Sequence, residues 1–131
     1  MVGDRENDGL SSPEAYADFA DECYNLGYKA YKMHGWKDGN VSEEIKMLKA
    51  VGERVNGKMK IMYDSACHLS TIADALEVGK VCDHYGFYWY EDPYKDGGVS
   101  INGNKYLSKK LSTPILAVSY THLTLPTSDL V

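Results

Sequence analysis

The feature that most constrains this chain is a repeat. Short apolar runs, each ending in a polar residue, alternate with segments whose apolar positions follow a helical period. The runs end at Lys32-Met33-His34, at Asp64 and at Glu91, at intervals of about thirty residues, which is the length of one strand–helix–strand unit. Ser12 and Pro13 start the first helical segment, with Ser12 as N-cap and Pro13 at the first helical position. Ala15, Phe19, Ala20, Cys23 and Leu26 then share one face, and Gly27 ends the segment. A strand over Tyr28 to Met33 follows. Ser42 to Val55 reads as the second helix, Lys60 to Asp64 as the second strand, Ser70 to Gly86 as the third helix and Phe87 to Glu91 as the third strand. Ile101 to Leu111 is a short fourth helix, and Thr113 to Ala117 begins a fourth strand.

Strands of about five residues alternating with helices predict parallel pairing, in a doubly wound sheet or a (β/α)-barrel. In both folds, ligands bind at the carboxyl ends of the strands. No strand is followed by GxGxxG or GxxxxGK[ST], which argues against nucleotide binding. The net charge of −5 argues against a phosphate-binding surface. No apolar run is long enough to span a bilayer. The polar, acidic start from Met1 to Gly9 lacks the apolar centre of a signal peptide. Three cysteines without CxxC spacing fit reduced thiols, with Cys23 and Cys82 as small core residues. The expected location is cytoplasmic.

The residues that end the strands carry the candidate chemistry. Asp64 follows Ile61-Met62-Tyr63, and Glu91 follows Tyr88-Trp89-Tyr90. Two carboxylates on neighbouring strand ends repel unless a cation lies between them, and hard oxygen ligands suit Mg2+. The alternative is that each caps the following helix or pairs with a nearby base. Lys32 and His34 are two apart, so on a strand they project to one side. A lysine among other cations loses its preference for the charged form and can act as a general base. The alternative is a solvated lysine and a loop histidine. Cys67-His68 are adjacent and point apart, which disfavours a nucleophile–base pair. His84, near a helix end, reads as a surface cation, and Asp92-Pro93 as a turn ending the strand.

Three segments resemble the enolase superfamily, within it the mandelate racemase branch. They are Gly27 to Trp36 with its Lys32-Met33-His34, Lys60 to Asp64, and Phe87 to Pro93 with its Glu91-Asp92-Pro93. The resemblance spans about residues 9 to 117. It implies a partial (β/α)8 barrel, roughly strands 2 to 5 with their helices. It implies Lys32 and His34 as the K-x-H form of the base motif, with Lys32 beside the substrate carboxylate and His34 as base or acid–base partner. Asp64 and Glu91 then resemble the first two Mg2+ ligands. The chemistry is removal of the proton α to a carboxylate while Mg2+ neutralises the charge that develops; it belongs to the superfamily as a whole and comes with the resemblance. The lysine–histidine motif and the polar Trp36-Lys37-Asp38 loop lean toward an acid-sugar dehydratase. A racemase or epimerase is the alternative, and an inactive fragment or an unrelated receiver- or flavodoxin-like binding module are further ones. The partner expected is a small carboxylate, with neither nucleic acid nor membrane, and the parent enzyme is expected to be a homo-oligomer.

The chain departs from the family in several places. Ala66 stands where many relatives have Asn. No acid follows Ile115-Leu116-Ala117, where a third ligand is due. The opposing base of later strands and the N-terminal capping domain are not in the sequence. Residues 118–131, VSYTHLTLPTSDLV, break the pattern at that point and resemble a translated sequencing adapter. The expected organisation is a partial barrel over 1–117 and a non-native tail over 118–131, which removes His122 from the candidate ligands.

Overall fold

The computed structural model describes residues 10–96 and 100–118. The chain alternates helix and strand: α1 (Pro13–Asn25), β1 (Ala30–His34), α2 (Val41–Val55), β2 (Lys60–Asp64), α3 (Ile72–His84), β3 (Trp89–Glu91), α4 (Ile101–Lys110) and β4 (Ile115–Leu116). The strands form one sheet in the order β1-β2-β3-β4, every neighbouring pair parallel. This is the expected partial (β/α)8 barrel. The tail proposed for residues 118–131 lies outside the described residues apart from Val118. Among the described residues, no helix is long and apolar enough to cross a membrane.

Side-chain oxygens set each helix start. The Ser12 hydroxyl accepts from the Ala15 amide at 3.1 Å, and Thr71 and Ser100 cap α3 and α4 in the same way. The second helix begins earlier than Ser42, because Asn40 is the cap and accepts from the Glu43 amide at 3.1 Å.

Two strands begin later than the sequence pattern suggests, for one shared reason. After α1 the Gly27 amide donates to the Tyr24 carbonyl and the Tyr28 amide to the Cys23 carbonyl. After α3 the Gly86 amide donates to Asp83 and the Phe87 amide to Cys82. These paired bonds close a helix end through a left-handed glycine, and Gly27 and Gly86 have φ of +97° and +64°. Tyr28 and Phe87 are thereby used to terminate helices, so β1 starts at Ala30 and β3 at Trp89.

The helices cover one face of the sheet. Tyr31 and Met33 of β1, Ile61 and Tyr63 of β2 and Tyr90 of β3 are buried under them. Cys23 and Cys82 are buried here as expected. The abundance of tyrosine acquires a partial explanation: Tyr16, Tyr31, Tyr63 and Tyr90 are among the largest fully buried side chains. Tyr63 and Tyr90 stack at 5.6 Å between centroids, and the Tyr90 hydroxyl donates to the Ala75 carbonyl at 3.1 Å.

The opposite face carries the other alternation. Register places Lys32, Met62 and Trp89 in one row and His34, Asp64, Glu91 and Leu116 in the next. Laterally paired residues of a parallel sheet share a face. The strand ends are therefore level, and this level row makes a common rim.

Candidate active site at the strand ends

The rim brings all four sequence-derived candidates together. Lys32 Nζ lies 3.3 Å from Glu91 Oε1, although 59 residues separate them. His34 Nε2 lies 3.3 Å from Asp64 Oδ2. The Trp89 indole N–H donates to Glu91 Oε1 at 3.1 Å, since residues two apart on a strand share a side. Asp64 Oδ1 also accepts from the Ala66 amide at 2.8 Å, so Asp64 both organises its own turn and faces the site. The carboxylates are buried, while the Lys32 and His34 side chains remain 24% and 40% exposed. The two nitrogen groups are thus the more exposed members of the rim.

A third carboxylate joins them. Asp64, Glu91 and Asp92 each offer an oxygen within 4.8 Å of the others, and all three residues are buried. The sequence pattern points Asp92 away from Glu91, because neighbours on a strand project to opposite faces. Asp92 escapes that rule with a φ of +44°. A left-handed turn in a non-glycine residue has no simple sequence signature, so Asp92 reads as part of the Asp92-Pro93 turn alone. No carboxylate stands at the β4 rim among the described residues, where Leu116 pairs with Glu91.

The remaining candidates stay apart. His68 and His84 are exposed and Cys67 half-buried, all outside the carboxylate group. His122 lies outside the described residues.

Three carboxylates whose oxygens lie within 4.8 Å of one another form a hard donor set that fits a divalent cation such as Mg2+. Glu91 shows the electrostatic cost of the arrangement. Its pKa is raised above 4.5, first by burial and then by Asp64, with Lys32 opposing. A raised native pKa means that the folded state binds the proton more tightly than the unfolded chain. The ionised form of Glu91 therefore destabilises the fold, and the penalty grows as pH rises above 4.5. In Mg2+-free buffer, the stability advantage of Glu91→Gln over the native chain is expected to be larger at neutral pH than in acid. Chemical unfolding across pH measures it, and an advantage that shrinks with rising pH contradicts the assignment.

The loops that follow the strands are stitched to one another. The Gly35 amide donates to the Asp64 carbonyl, Ser65 to Glu91 and Cys67 to Asp92, at 2.8 to 3.0 Å. Beneath them sits Glu44, 1% exposed. Its Oε1 accepts from the Trp36 and Lys37 amides at 2.9 and 3.0 Å, and its Oε2 accepts from the Tyr63 hydroxyl at 2.9 Å. Burial, and next the Glu44 charge, raise the Tyr63 pKa well above its ordinary value, so the phenol stays protonated as a donor. Glu44 thus ties the segment after His34 to the residue before Asp64.

A parallel strand–helix sheet with acids, a lysine and a histidine along its carboxyl rim fits a portion of a (β/α)-barrel, a fold that binds its ligands at the strand ends. Comparison with known proteins narrows the class. The chain matches the family described as Enolase C-terminal domain-like over residues 15–122, and it belongs to that family, in the mandelate racemase part of the enolase superfamily.

Arabinonate dehydratase of Saccharolobus solfataricus is 31% identical over 98 residues, covering 72% of this chain and 25% of that protein. N-succinyl-L-Arg/Lys racemase of Bacillus cereus is 32% identical over 85 residues, covering 64% of this chain and 22% of that protein. The crystal structure of N-succinyl Arg/Lys racemase from Bacillus cereus superposes with a TM-score of 0.67 at 29% identity, over 80% of this chain and 27% of that one. The chain spans about a quarter of the length of the curated relatives it matches. Enzymes of the superfamily generally use Mg2+.

Proposed function

We propose that this chain carries the metal-binding and first acid–base part of a site that removes the proton α to a carboxylate. The substrate class is a small carboxylate and the favoured reaction is dehydration of an acid sugar. The observation that carries this reading is the rim itself, where Lys32, His34, Asp64 and Glu91 converge from three strands. Asp64 and Glu91, with Asp92 beside them, would hold Mg2+. When bound, the ion supplies a Lewis acid that neutralises charge developing on the substrate carboxylate.

The chain's own residues would do the rest. Lys32, anchored by Glu91, presents an ammonium to the substrate carboxylate. His34 presents an imidazole nitrogen on the same side and holds or takes the proton, with Asp64 orienting the ring. Racemisation is the second reading, favoured by the likeness to the succinyl-amino-acid racemase. It needs a second base opposite His34, and the described residues offer none. The rim supplies only part of such a site, so the 131-residue chain by itself is expected to bind the ion without turning over substrate.

The test is titration of the chain with Mg2+, and with Mn2+ followed by electron paramagnetic resonance. Asp64→Asn removes one charged ligand and is expected to weaken binding by at least about tenfold, or ~1.4 kcal/mol. Binding that is indifferent to Asp64→Asn, or no binding at all, rejects the metal assignment.

A further inference from the structure

Asp64 and Glu91 each have one oxygen engaged by an N–H two residues away in the chain. At Asp64 it is Oδ1, which accepts from the Ala66 amide at 2.8 Å. At Glu91 it is Oε1, which accepts from the Trp89 indole N–H at 3.1 Å. The first bond is made by backbone, which turns left-handed at Ala66 with a φ of +54°. The second is made by a side chain, so Trp89 is the donor of the two that substitution can remove.

Trp89 reaches Glu91 because residues two apart on β3 project to the same side. Register pairs Trp89 with Met62 of β2, one row below Asp64 and Glu91. The indole is half-buried and lies against the Tyr88 ring at 5.6 Å between centroids. An indole has one N–H donor and no acceptor, and here that donor is given to a carboxylate. Lys32 imposes less direction. Its Nζ lies 3.3 Å from Oε1 and 3.5 Å from Oε2, and an ammonium on a flexible stem serves either oxygen. Oε1 thus accepts from two donors and Oε2 from one, at the longer distance.

Divalent cations differ in what they ask of a carboxylate. Ca2+ takes more oxygens in flexible geometry, often both from one carboxylate, whereas Mg2+ demands a near-octahedral set and keeps several waters. A carboxylate with one oxygen engaged elsewhere offers the ion the other one alone. Hydrogen bonds to a ligating carboxylate are a general means of fixing its orientation.

We propose, given Glu91 as an Mg2+ ligand, that Trp89 is a positioning residue: its indole N–H holds Glu91 Oε1, so that Glu91 gives the ion a single oxygen and the site's preference moves toward Mg2+ and away from Ca2+. The Ala66 amide does the same for Asp64, through a bond that no side-chain substitution removes.

Competition of Mg2+ and, separately, of Ca2+ against Mn2+ on the full 131-residue chain, followed by electron paramagnetic resonance, tests this. Trp89→Phe keeps an aromatic ring and removes the donor. It is expected to weaken Mg2+ binding by about tenfold, the lower end for losing the partner of a ligand. Ca2+ binding is expected to weaken less, since the freed oxygen can join the other one of Glu91 on the larger ion. In the native chain, the Trp89 indole proton, followed by nuclear magnetic resonance, is expected to exchange with solvent no faster with Mg2+ bound than without it. Equal losses for the two ions, no loss for either, or an indole proton released when Mg2+ binds overturns the role of Trp89 while the ligand assignment stands. A native chain that binds neither ion rejects the ligand assignment, and the role of Trp89 with it.

Discussion

Replacing Glu44 with alanine is expected to cost about 3 kcal/mol or more of unfolding free energy, since each buried donor left without its acceptor costs about 1–3 kcal/mol. Three donors lose their partner at once: the Trp36 amide, the Lys37 amide and the Tyr63 hydroxyl. Water offers little compensation at the Trp36 amide and the Tyr63 hydroxyl, because Glu44 and Tyr63 are essentially inaccessible and Trp36 is 3% exposed, whereas Lys37 is exposed and its amide can turn to water. Glu44→Gln separates charge from shape. The amide oxygen still accepts from both backbone amides, and only the Tyr63 hydroxyl must turn from donor to acceptor. The glutamine variant is therefore expected to keep most of the stability lost in the alanine variant. Urea unfolding followed by circular dichroism gives both values. An alanine variant within about 1 kcal/mol of the native chain, the ordinary scale of a single hydrogen bond, would remove Glu44 from this role. The substitution also reaches the rim, because its partners flank His34 and Asp64 in sequence.

Glu44 marks the limit of what the sequence made legible. Read along the chain, it is one of several acids at a helix start, a common and solvated position. Its burial depends on the Trp36–Lys37 backbone and on Tyr63 arriving from elsewhere, and no local pattern encodes that meeting. Asp92 was hidden for a related reason, its turn being imposed by a backbone that leaves strand geometry at once. Lys32, His34, Asp64 and Glu91 were legible because each ends an apolar strand, and parallel register then fixes them at one level. The first helix was legible through Ser12, whose capping is local chemistry. The start of β1 was misplaced because Tyr28, by composition a strand residue, donates its amide back to Cys23.

Gly39→Ala is expected to be the second severe substitution, and Gly27→Ala shows why by contrast. Both glycines have positive φ, +85° and +97°, so any alanine there meets a backbone penalty of about 1–2 kcal/mol. At Gly27 nothing lies within 4 Å of the added Cβ, and the penalty ends there. At Gly39 the Cβ would press into the carbonyl oxygen and carbon of His68, which belong to backbone and cannot swing aside. Moving His68 moves Leu69, which is fully buried and whose carbonyl accepts from the Lys95 amide at 2.8 Å. The strain therefore passes from the loop after β1 to those after β2 and β3, which carry the site. The alanine at position 39 should cost about 3 kcal/mol or more, the range of strained and overpacked sites. The alanine at position 27 should cost no more than about 2 kcal/mol. Amide hydrogen exchange at Leu69 and Lys95 should accelerate for the first variant and stay at the native rate for the second. Equal costs at the two positions would mean that backbone conformation alone, and not the contact between the loops, accounts for Gly39.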